Sequence, residues 1–354
     1  MTDSKQTTRN IRHLSQDELV AFFERIGEKK FRAHQTYEWI WQKHAHSFAD
    51  MTNLSKELRQ QLGNHFSLPA LTIDATQYSA DGTIKTRFRT HEGHLAEGVL
   101  IPTDDRKTAC VSSQIGCSLS CKFCATGYID RKRNMDYDEI YDEVVLINQQ
   151  CERVYDKKLT NIVFMGMGEP LLNYKNVLKA IERITAPDGL GMSPRRITVS
   201  TAGVSKQIRQ LGDDAVKFKL ALSLHAANDV KRNEIMPIND SNNIKSLIEA
   251  LNYFYKKTGN EITLEYILFK QFNDSLQDAD ELIKIYRQIP ADLVNIIEYN
   301  PIDLADFEKP DEKTTQLFMK HLEKNRVNCR LRKSRGKDID AACGQLANKE
   351  VLNS

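Results

Sequence analysis

The sequence predicts an α/β fold in which a partial (β/α)6 barrel follows a small N-terminal helical domain and a β-hairpin extension. From about residue 108, apolar strand-like segments alternate with helical segments, which indicates a parallel sheet covered by helices. Six such units are too few to close an eight-stranded barrel, so we expect an open one. Before residue 70, apolar residues recur with helical spacing instead.

The first 70 residues are predicted to form an N-terminal helical accessory domain. Ser15 is placed to cap the first helix, and Glu18, three residues later, completes a capping box. Pro69 marks the end of this domain, which we define as residues 1–70. The predicted helices of the domain span residues 14–27, 31–44 and 55–66.

The remaining chain divides into three further segments. A hairpin extension, residues 71–107, is predicted because strand-like alternation surrounds the turn signal Asp81-Gly82. We assign the barrel to residues 108–326 and a C-terminal segment to residues 327–354. The barrel strands are predicted at 108–114, 160–166, 195–201, 218–224, 262–268 and 293–299.

The composition is that of an ordinary globular protein. The 354 residues are 40% hydrophobic and 28% charged, and the net charge is +2, so nucleic-acid binding would need local basic patches. No apolar run approaches the ~20 residues of a membrane span, and the N-terminal stretch has no secretory h-region. We therefore expect a cytoplasmic protein with reduced thiols and no membrane partner.

Three of the seven cysteines, Cys117, Cys121 and Cys124, are spaced C-x3-C-x2-C just after the first barrel strand. A zinc knuckle is one reading, but structural zinc sites and ferredoxin-like clusters use four ligands, and no second pair follows. With Phe123 before the last cysteine, the motif resembles the radical S-adenosylmethionine (SAM) superfamily. The resemblance implies a [4Fe-4S] cluster whose fourth iron position binds SAM.

Polar and glycine residues follow the later strands. The segment FMGMGEP contains G-x-G after the second strand, but Leu171 replaces the third glycine of a dinucleotide-binding motif, so we reject that reading. Gly166 and Gly168 would let the backbone approach a ligand, and Glu169 could accept from an ammonium group. Polar residues that alone are typical of turns would together surround one mouth; they are Ser200, Ser223, His225 and Asn300.

Five motifs between residues 112 and 346 resemble the RlmN/Cfr family of radical SAM RNA methyltransferases, and the likeness runs from about residue 14 to 349. They are SSQIGCSLSCKFCATG, GMGEPLLNY, SLHAANDVKRNEIMPIN, EYNPI and RKSRGKDIDAACGQL. The resemblance implies that Cys117, Cys121 and Cys124 hold the cluster. It also implies SAM contacts from Gly168, Glu169, Ser200, Ser223, Leu224, His225 and Asn300.

The same resemblance implies a substrate. RlmN members methylate carbon 2 of an adenosine in 23S rRNA near the peptidyl-transferase centre, and of an adenosine beside the tRNA anticodon. Cfr members methylate carbon 8 of the ribosomal adenosine. The overall match favours the RlmN type, although no single residue fixes the carbon atom. A rival of another class is a non-catalytic iron–sulfur RNA-binding protein or redox sensor.

The family chemistry gives roles to three further residues. Carbon 2 of adenine is not nucleophilic, so one SAM would methylate Cys343 and a second would generate the radical that activates this methyl group. Glu97 corresponds to the acid/base position, and Cys110 to the thiol that later forms a disulfide with Cys343. From the residues alone, both cysteines would be structural thiols and Glu97 an exposed strand residue.

Basic residues give weaker, independent support for RNA binding. Runs at 329–337 and 131–133, with Arg195-Arg196, are predicted to flank the mouth and contact phosphates. We also expect an external electron donor, such as flavodoxin or ferredoxin, and a monomeric protein. In the helical domain, basic residues lie among aromatic ones and could grip folded RNA: Lys29, Lys30, Arg32 and Lys43.

Overall fold

A ten-stranded sheet organises the chain in the computed structural model, which describes residues 8–349. Its strands follow one another across the sheet in the same order as along the chain. The first four pair antiparallel, and from the fourth strand onward all neighbours are parallel. The strands are β1 Thr72–Tyr78, β2 Ile84–Arg89, β3 Leu95–Pro102, β4 Lys107–Cys110, β5 Asn161–Phe164, β6 Ile197–Thr201, β7 Lys219–Ser223, β8 Ile262–Leu268, β9 Leu293–Glu298 and β10 Cys329–Arg332.

This topology confirms the predicted fold class. Strands β4 to β9 are each followed by a helix, which gives six β/α units. Strand β10 adds a seventh parallel strand beside β9 and was not among the six predicted barrel strands. Since β1 and β10 occupy opposite ends of the strand order, the barrel is open.

The helices begin and end close to where the sequence predicts. Ser15 Oγ accepts from Glu18 N at 3.1 Å, and the Glu18 carboxylate accepts from Ser15 N at 2.8 Å, so the predicted capping box is confirmed. No helix within residues 8–349 is both long and apolar enough to cross a membrane. The α-helices are α1 Gln16–Arg25, α2 Lys30–Trp41, α3 Lys56–His65, α4 Tyr137–Tyr155, α5 Tyr174–Thr185, α6 Ser205–Asp213, α7 Asp229–Ile235, α8 Ile244–Thr258, α9 Leu276–Tyr286 and α10 Glu312–Lys324.

The N-terminal helical region docks on α4 through buried polar contacts. Arg12 Nη1 lies 2.7 Å from Asp142 Oδ2, and both side chains are almost completely buried. His13 Nε2 lies 3.3 Å from Asp138 Oδ1 one helical turn earlier. These ion pairs fix the helical region against the barrel helix that follows the cysteine loop.

The C-terminal segment ties the hairpin to the barrel. After β10, Gly336 N donates to Asp81 Oδ2 at 3.0 Å, which places the segment against the predicted Asp81-Gly82 turn. Asp338 accepts from Ala80 N at 3.0 Å on the same turn. Further along, Asn348 Nδ2 donates to Leu95 O at 3.0 Å. The residues between these anchors, including Cys343, therefore cross the carboxyl end of the parallel strands.

Candidate active site

The cysteine loop lies beyond β4, at the carboxyl end of the parallel sheet. Cys124 N donates to Cys121 O at 3.2 Å, which closes a turn between these two thiols. Ala125 N donates to Gly344 O at 2.7 Å. The C-terminal segment therefore contacts the cysteine loop directly beside Cys343.

The three thiols of this loop fit a multi-iron cluster better than a single metal ion. Burial, together with the neighbouring thiols, raises the pKa of Cys117 to about 11 and the pKa of Cys121 well above its usual value. Thiolates here would need nearby positive charge. Within residues 8–349 no three thiol sulfurs lie within 4.8 Å of one another, whereas three thiolates on one zinc ion would be about 3.8 Å apart.

A cavity of about 880 Å³, its open mouth included, extends from the cysteine loop across the carboxyl ends of the strands. A space of this size suits a ligand as large as SAM. Leu224 and Asn300 are not among the residues that line it. The predicted SAM-contact residues that do line it are Gly168, Glu169, Ser200, Ser223 and His225.

Glu169 lines the cavity and links the chain segments that follow β5 and β6. Its Oε2 accepts from Ala202 N at 2.7 Å and its Oε1 from Leu171 N at 3.0 Å. Burial raises the pKa of this carboxyl group. Each carboxylate oxygen can accept a second hydrogen bond, so the side chain remains able to accept from a ligand ammonium.

The two glycines before Glu169 have a packing role that the sequence analysis did not foresee. Gly168 has a φ of +91°, and a Cβ there would lie 2.5 Å from Gln114 Cβ. A Cβ on Gly166 would lie 2.7 Å from Val111 O. The glycines therefore let this loop pack against the chain that follows β4, in addition to any ligand approach.

His225 and the two serines form the polar wall at β6 and β7. His225 Nδ1 accepts from Ile267 N at 3.1 Å, so the neutral ring carries its proton on Nε2. Burial and the Arg232 charge lower the pKa of His225 to about 3, which keeps the ring neutral at pH 7. Ser200 Oγ and Ser223 Oγ are 3.3 Å apart. These groups offer hydrogen bonds without adding net charge.

Leu224 and Asn300 serve other parts of the site. The Leu224 side chain is buried in the core, and its backbone N donates to Glu265 O at 2.9 Å. Asn300 Nδ2 donates to Cys343 O at 3.3 Å. Asn300 therefore holds the Cys343 loop in the structure, whereas the sequence analysis assigned it to SAM.

Cys110 and Cys343, which are far apart in sequence, line one second cavity of about 710 Å³. Cys343 also lines the first cavity, so it lies where the two adjoin. Burial, together with the neighbouring Cys343, raises the pKa of Cys110 to about 12. Both cysteines are free thiols in the structure, so no disulfide joins them.

Glu97 is buried on β3 and holds the C-terminal segment. Its Oε2 accepts from Ala347 N at 2.9 Å and from Asn348 N at 3.1 Å. Lys85 Nζ lies 3.7 Å from its Oε1. The side chain is only 1% exposed, which corrects the residue-based reading of Glu97 as an exposed strand residue. Glu97 is not among the residues lining either cavity, so reaching a substrate would require the segment to move.

Arg332 and Glu265 are site residues that the sequence analysis missed. Arg332 lines both cavities, and its Nη1 lies 3.5 Å from Glu265 Oε2 and 3.4 Å from Met165 Sδ. Glu265 is buried on β8 and lines the first cavity. The sequence predicts Arg332 as part of a phosphate-binding surface, whereas its side chain is 28% exposed and its guanidinium lies beside Glu265 in the site.

In the other predicted basic patches, some residues are paired with acidic groups or lie away from the mouth. Arg133 donates to Glu139 through both terminal nitrogens at 2.7 Å and to Glu92 at 2.6 Å. Arg195 and Arg196 precede β6, so they lie at the end of the strands opposite the mouth. Arg131 and Lys132 of the run at 131–133 remain exposed, as do Lys333 and Arg335, which line the second cavity.

Comparisons with known proteins identify the family of the chain. Residues 9–68 match the family model of the ribosomal RNA large subunit methyltransferase N-terminal domain, and residues 111–284 match that of the radical SAM superfamily. A probable dual-specificity RNA methyltransferase RlmN from Cytophaga hutchinsonii is 59% identical and covers 96% of this chain and 93% of its own length.

A second protein of the same description, from Christiangramia forsetii, is 52% identical over 98% of both chains. The crystal structure of a radical SAM methyltransferase from Sphaerobacter thermophilus is 38% identical, with a TM-score of 0.89 over 96% of this chain and 99% of that one. The chain therefore belongs to the RlmN family of radical SAM RNA methyltransferases.

Proposed function

We propose that the protein methylates carbon 2 of an adenosine in 23S rRNA near the peptidyl-transferase centre, and of an adenosine beside the tRNA anticodon. The observation that carries the proposal is that Cys110 and Cys343 line one cavity, which adjoins the cavity beside the cysteine loop. The similar proteins described as dual-specificity RNA methyltransferases support an RNA substrate of two kinds.

The family implies a [4Fe-4S] cluster and SAM, and the residues present fit both. Cys117, Cys121 and Cys124 would hold the cluster, and Gly168, Glu169, Ser200, Ser223 and His225 would surround SAM. When reduced by a donor such as flavodoxin or ferredoxin, the bound pair supplies a 5'-deoxyadenosyl radical. Leu224 would contribute through its backbone, and Asn300 through its hold on the Cys343 loop.

Cys343 is proposed as the methyl carrier because it lies between the two cavities. On the SAM side its sulfur can take a methyl group from a first SAM, and a second SAM is consumed in activating that methyl. On the other side, carbon 2 of adenine would join the activated carbon in a transient protein–RNA adduct. An adenine inside folded RNA would have to be extruded to reach this position.

Glu97 and Cys110 are proposed to complete the reaction. Glu97 would take the proton from carbon 2 once the C-terminal segment releases its carboxylate from Ala347 N and Asn348 N. The unpaired electron of the adduct would leave to the oxidised form of the donor protein as this proton is lost. The Cys110 thiolate would then attack the Cys343 sulfur, forming the S–S bond as the carbon–sulfur bond breaks. The carbon would keep the electron pair of that bond and take a proton from Glu97 to become the methyl group.

We propose a separate role for each of the four segments predicted from the sequence. Residues 1–70 would bind RNA, 71–107 would extend the sheet, 108–326 would hold cluster and SAM, and 327–354 would carry Cys343. Residues 1–7 and 350–354 of these segments lie outside the described residues. We further propose a monomer that acts in the cytoplasm.

Nucleoside mass spectrometry of rRNA and tRNA from a strain lacking the protein tests the function. Loss of 2-methyladenosine from both RNAs is expected, with return on complementation. Loss of 8-methyladenosine instead would favour the Cfr-like alternative, which acts on the same ribosomal adenosine. Unchanged RNA would leave only a non-catalytic iron–sulfur RNA-binding protein, a reading that membership in a family of methyltransferases disfavours.

A further inference from the structure

Arg232 is a buried cation whose hydrogen-bond acceptors are all uncharged in the part of the chain that the structure describes. Its side chain, on α7, is completely buried. It donates to the carbonyl oxygens of Leu224 at 3.1 Å, Ala202 at 2.5 Å and Ser223 at 3.2 Å, and to Asn239 Oδ1 at 2.6 Å. Arg12, which is equally buried, instead lies 2.7 Å from the Asp142 carboxylate.

An unpaired charge in this position is costly unless something compensates for it. Transfer of an ion from water into a protein interior carries a penalty of several kcal/mol. Burial lowers the pKa of Arg232 to about 10, so the guanidinium is still protonated at pH 7. The four uncharged oxygens stabilise the cation but supply no negative charge.

The cysteine loop is the place from which negative charge can come. Lys122 N donates to Ile235 O at 3.0 Å, so the end of α7 is bonded to this loop between Cys121 and Cys124. Of the charges that raise the pKa of Arg232 against its burial, Cys121 acts most strongly, ahead of Asp229 on its own helix. The thiolate of Cys121, one of the three ligands of this loop, would therefore lie near a fixed cation.

Direct contact of Arg232 with SAM does not explain its position. Arg232 is absent from the residues that line the first cavity, where SAM would bind. Its donors instead face the carbonyl oxygens at the ends of β6 and β7. Arg232 can interact electrostatically with the cysteine loop across the protein interior, where the low dielectric constant strengthens the interaction. The carbonyl contacts also prevent the guanidinium from moving away.

We propose that Arg232 is the internal counter-cation of the iron–sulfur cluster held by Cys117, Cys121 and Cys124, and that its charge makes the cluster easier to reduce. The proposal rests on the cluster of the proposed function and adds a residue that tunes it. Reduction adds one negative charge to a centre already made anionic by thiolates, and a nearby fixed cation stabilises the reduced state most. Net charge around such clusters is one of the properties that set their potentials.

The test is a redox titration of reconstituted full-length protein followed by electron paramagnetic resonance, without SAM or RNA. At a fixed potential, Arg232→Gln is expected to lower the ratio of reduced to oxidised cluster at least tenfold, equivalent to about 59 mV for one electron. Arg232→Lys keeps the charge and should stay within about threefold of the wild type. The matched control is Lys231→Gln, which removes the same charge from the adjacent residue, whose side chain pairs with Asp278.

The inference would be overturned by an unchanged ratio in Arg232→Gln, or by an equal fall in Lys231→Gln. A fall in Arg232→Lys as large as in Arg232→Gln would also overturn it, since the hydrogen bonds rather than the charge would matter. If Arg232→Gln fails to assemble the cluster, Arg232→Lys decides, because it must then assemble with nearly the wild-type ratio. Wild-type protein that binds no redox-active cluster would contradict the proposed function itself.

Discussion

Single residues at the centre of the site differ in their access to the two cavities. Cys343 lines both cavities, whereas Cys110 lines only the second and is almost completely buried. This difference suits a methyl carrier that must meet SAM and a resolving thiol that must meet only the adduct. The two thiols should therefore fail in different ways when they are replaced.

Cys343→Ala should leave adenine unmodified and never join to RNA, because the methyl carrier is absent. Cys110→Ala should add to the ring and then stall, because no thiol attacks the Cys343 sulfur. The expected signature is RNA that stays with the Cys110→Ala protein through denaturing electrophoresis and is removed by nuclease. Normal turnover of Cys110→Ala without a trapped adduct would show that another group releases the product.

Iron content provides the matched control for these variants. Cys121→Ala should lose the cluster, whereas Cys110→Ala and Cys343→Ala should keep about four irons per chain. Cys343 also lines the cavity beside the cysteine loop, so this comparison separates a carrier from a fourth metal ligand. Loss of iron in Cys343→Ala would contradict its proposed role.

Release of the product should depend on pH through Cys110. Since burial raises the pKa of this thiol to about 12, it is neutral at pH 7 and must lose its proton before attack. Below that pKa the thiolate fraction rises roughly tenfold per pH unit, so decay of the wild-type adduct should accelerate accordingly between pH 6.5 and 8.5. Rapid-quench measurement of a pH-independent decay would contradict attack by a thiol that is neutral at rest.

Among the structural elements, β10 explains why Arg332 lies inside the site and not on a charged surface. Side chains alternate along a strand, so Arg330 and Arg332 share one face and Cys329 and Leu331 the other. Arg330 donates to Asn295 and Arg332 lies beside Glu265, on the inner face of the barrel. The basic run therefore does not form one charged surface, and its period of two within β10 is the local signal for this division.

The exposed basic residues after β10 should therefore differ from Arg332 in their effect on RNA binding. Replacing exposed Lys333 and Arg335 together by Gln should reduce the salt slope of RNA binding by roughly 1.5 to 2, because each phosphate contact releases counterions. Arg332→Gln, the matched control, should leave the slope unchanged. Filter binding without SAM measures both. A slope lowered by Arg332→Gln, or unchanged in the double variant, would contradict this division.

For the whole molecule, local sequence patterns predict the structural elements better than they predict the contacts between distant parts of the chain. Alternating strands and helices and the Asp81-Gly82 turn depend on neighbouring residues, and the structure contains these elements. The hold of Glu97 on Ala347 N and the ion pair of Arg12 with Asp142 join distant parts of the chain, and no local period reports them. The meeting of Cys110 with Cys343 was expected only through the family resemblance.

The Arg12–Asp142 ion pair should make the N-terminal helical region part of the stability of the barrel. Arg12→Met leaves a buried carboxylate unpaired and should lower the free energy of unfolding by about 3–5 kcal/mol. The second variant, Arg12→Met with Asp142→Asn, removes both charges and keeps an acceptor for Leu71 N, which Asp142 binds at 3.0 Å. It should recover most of the loss.

The sign of the pH dependence provides a further check on this ion pair. Burial raises the pKa of Asp142 even beside Arg12, so without the cation its carboxyl group favours the protonated form in the folded state. A group with a raised folded-state pKa stabilises at low pH and loses that contribution as pH rises. The destabilisation of Arg12→Met should therefore be larger at pH 7 than at pH 4.5 in urea unfolding, because the change begins above the unfolded-state pKa of about 3.9. Equal losses at both pH values, or no recovery in the double variant, would mean that packing against Trp41 rather than charge holds the two parts together.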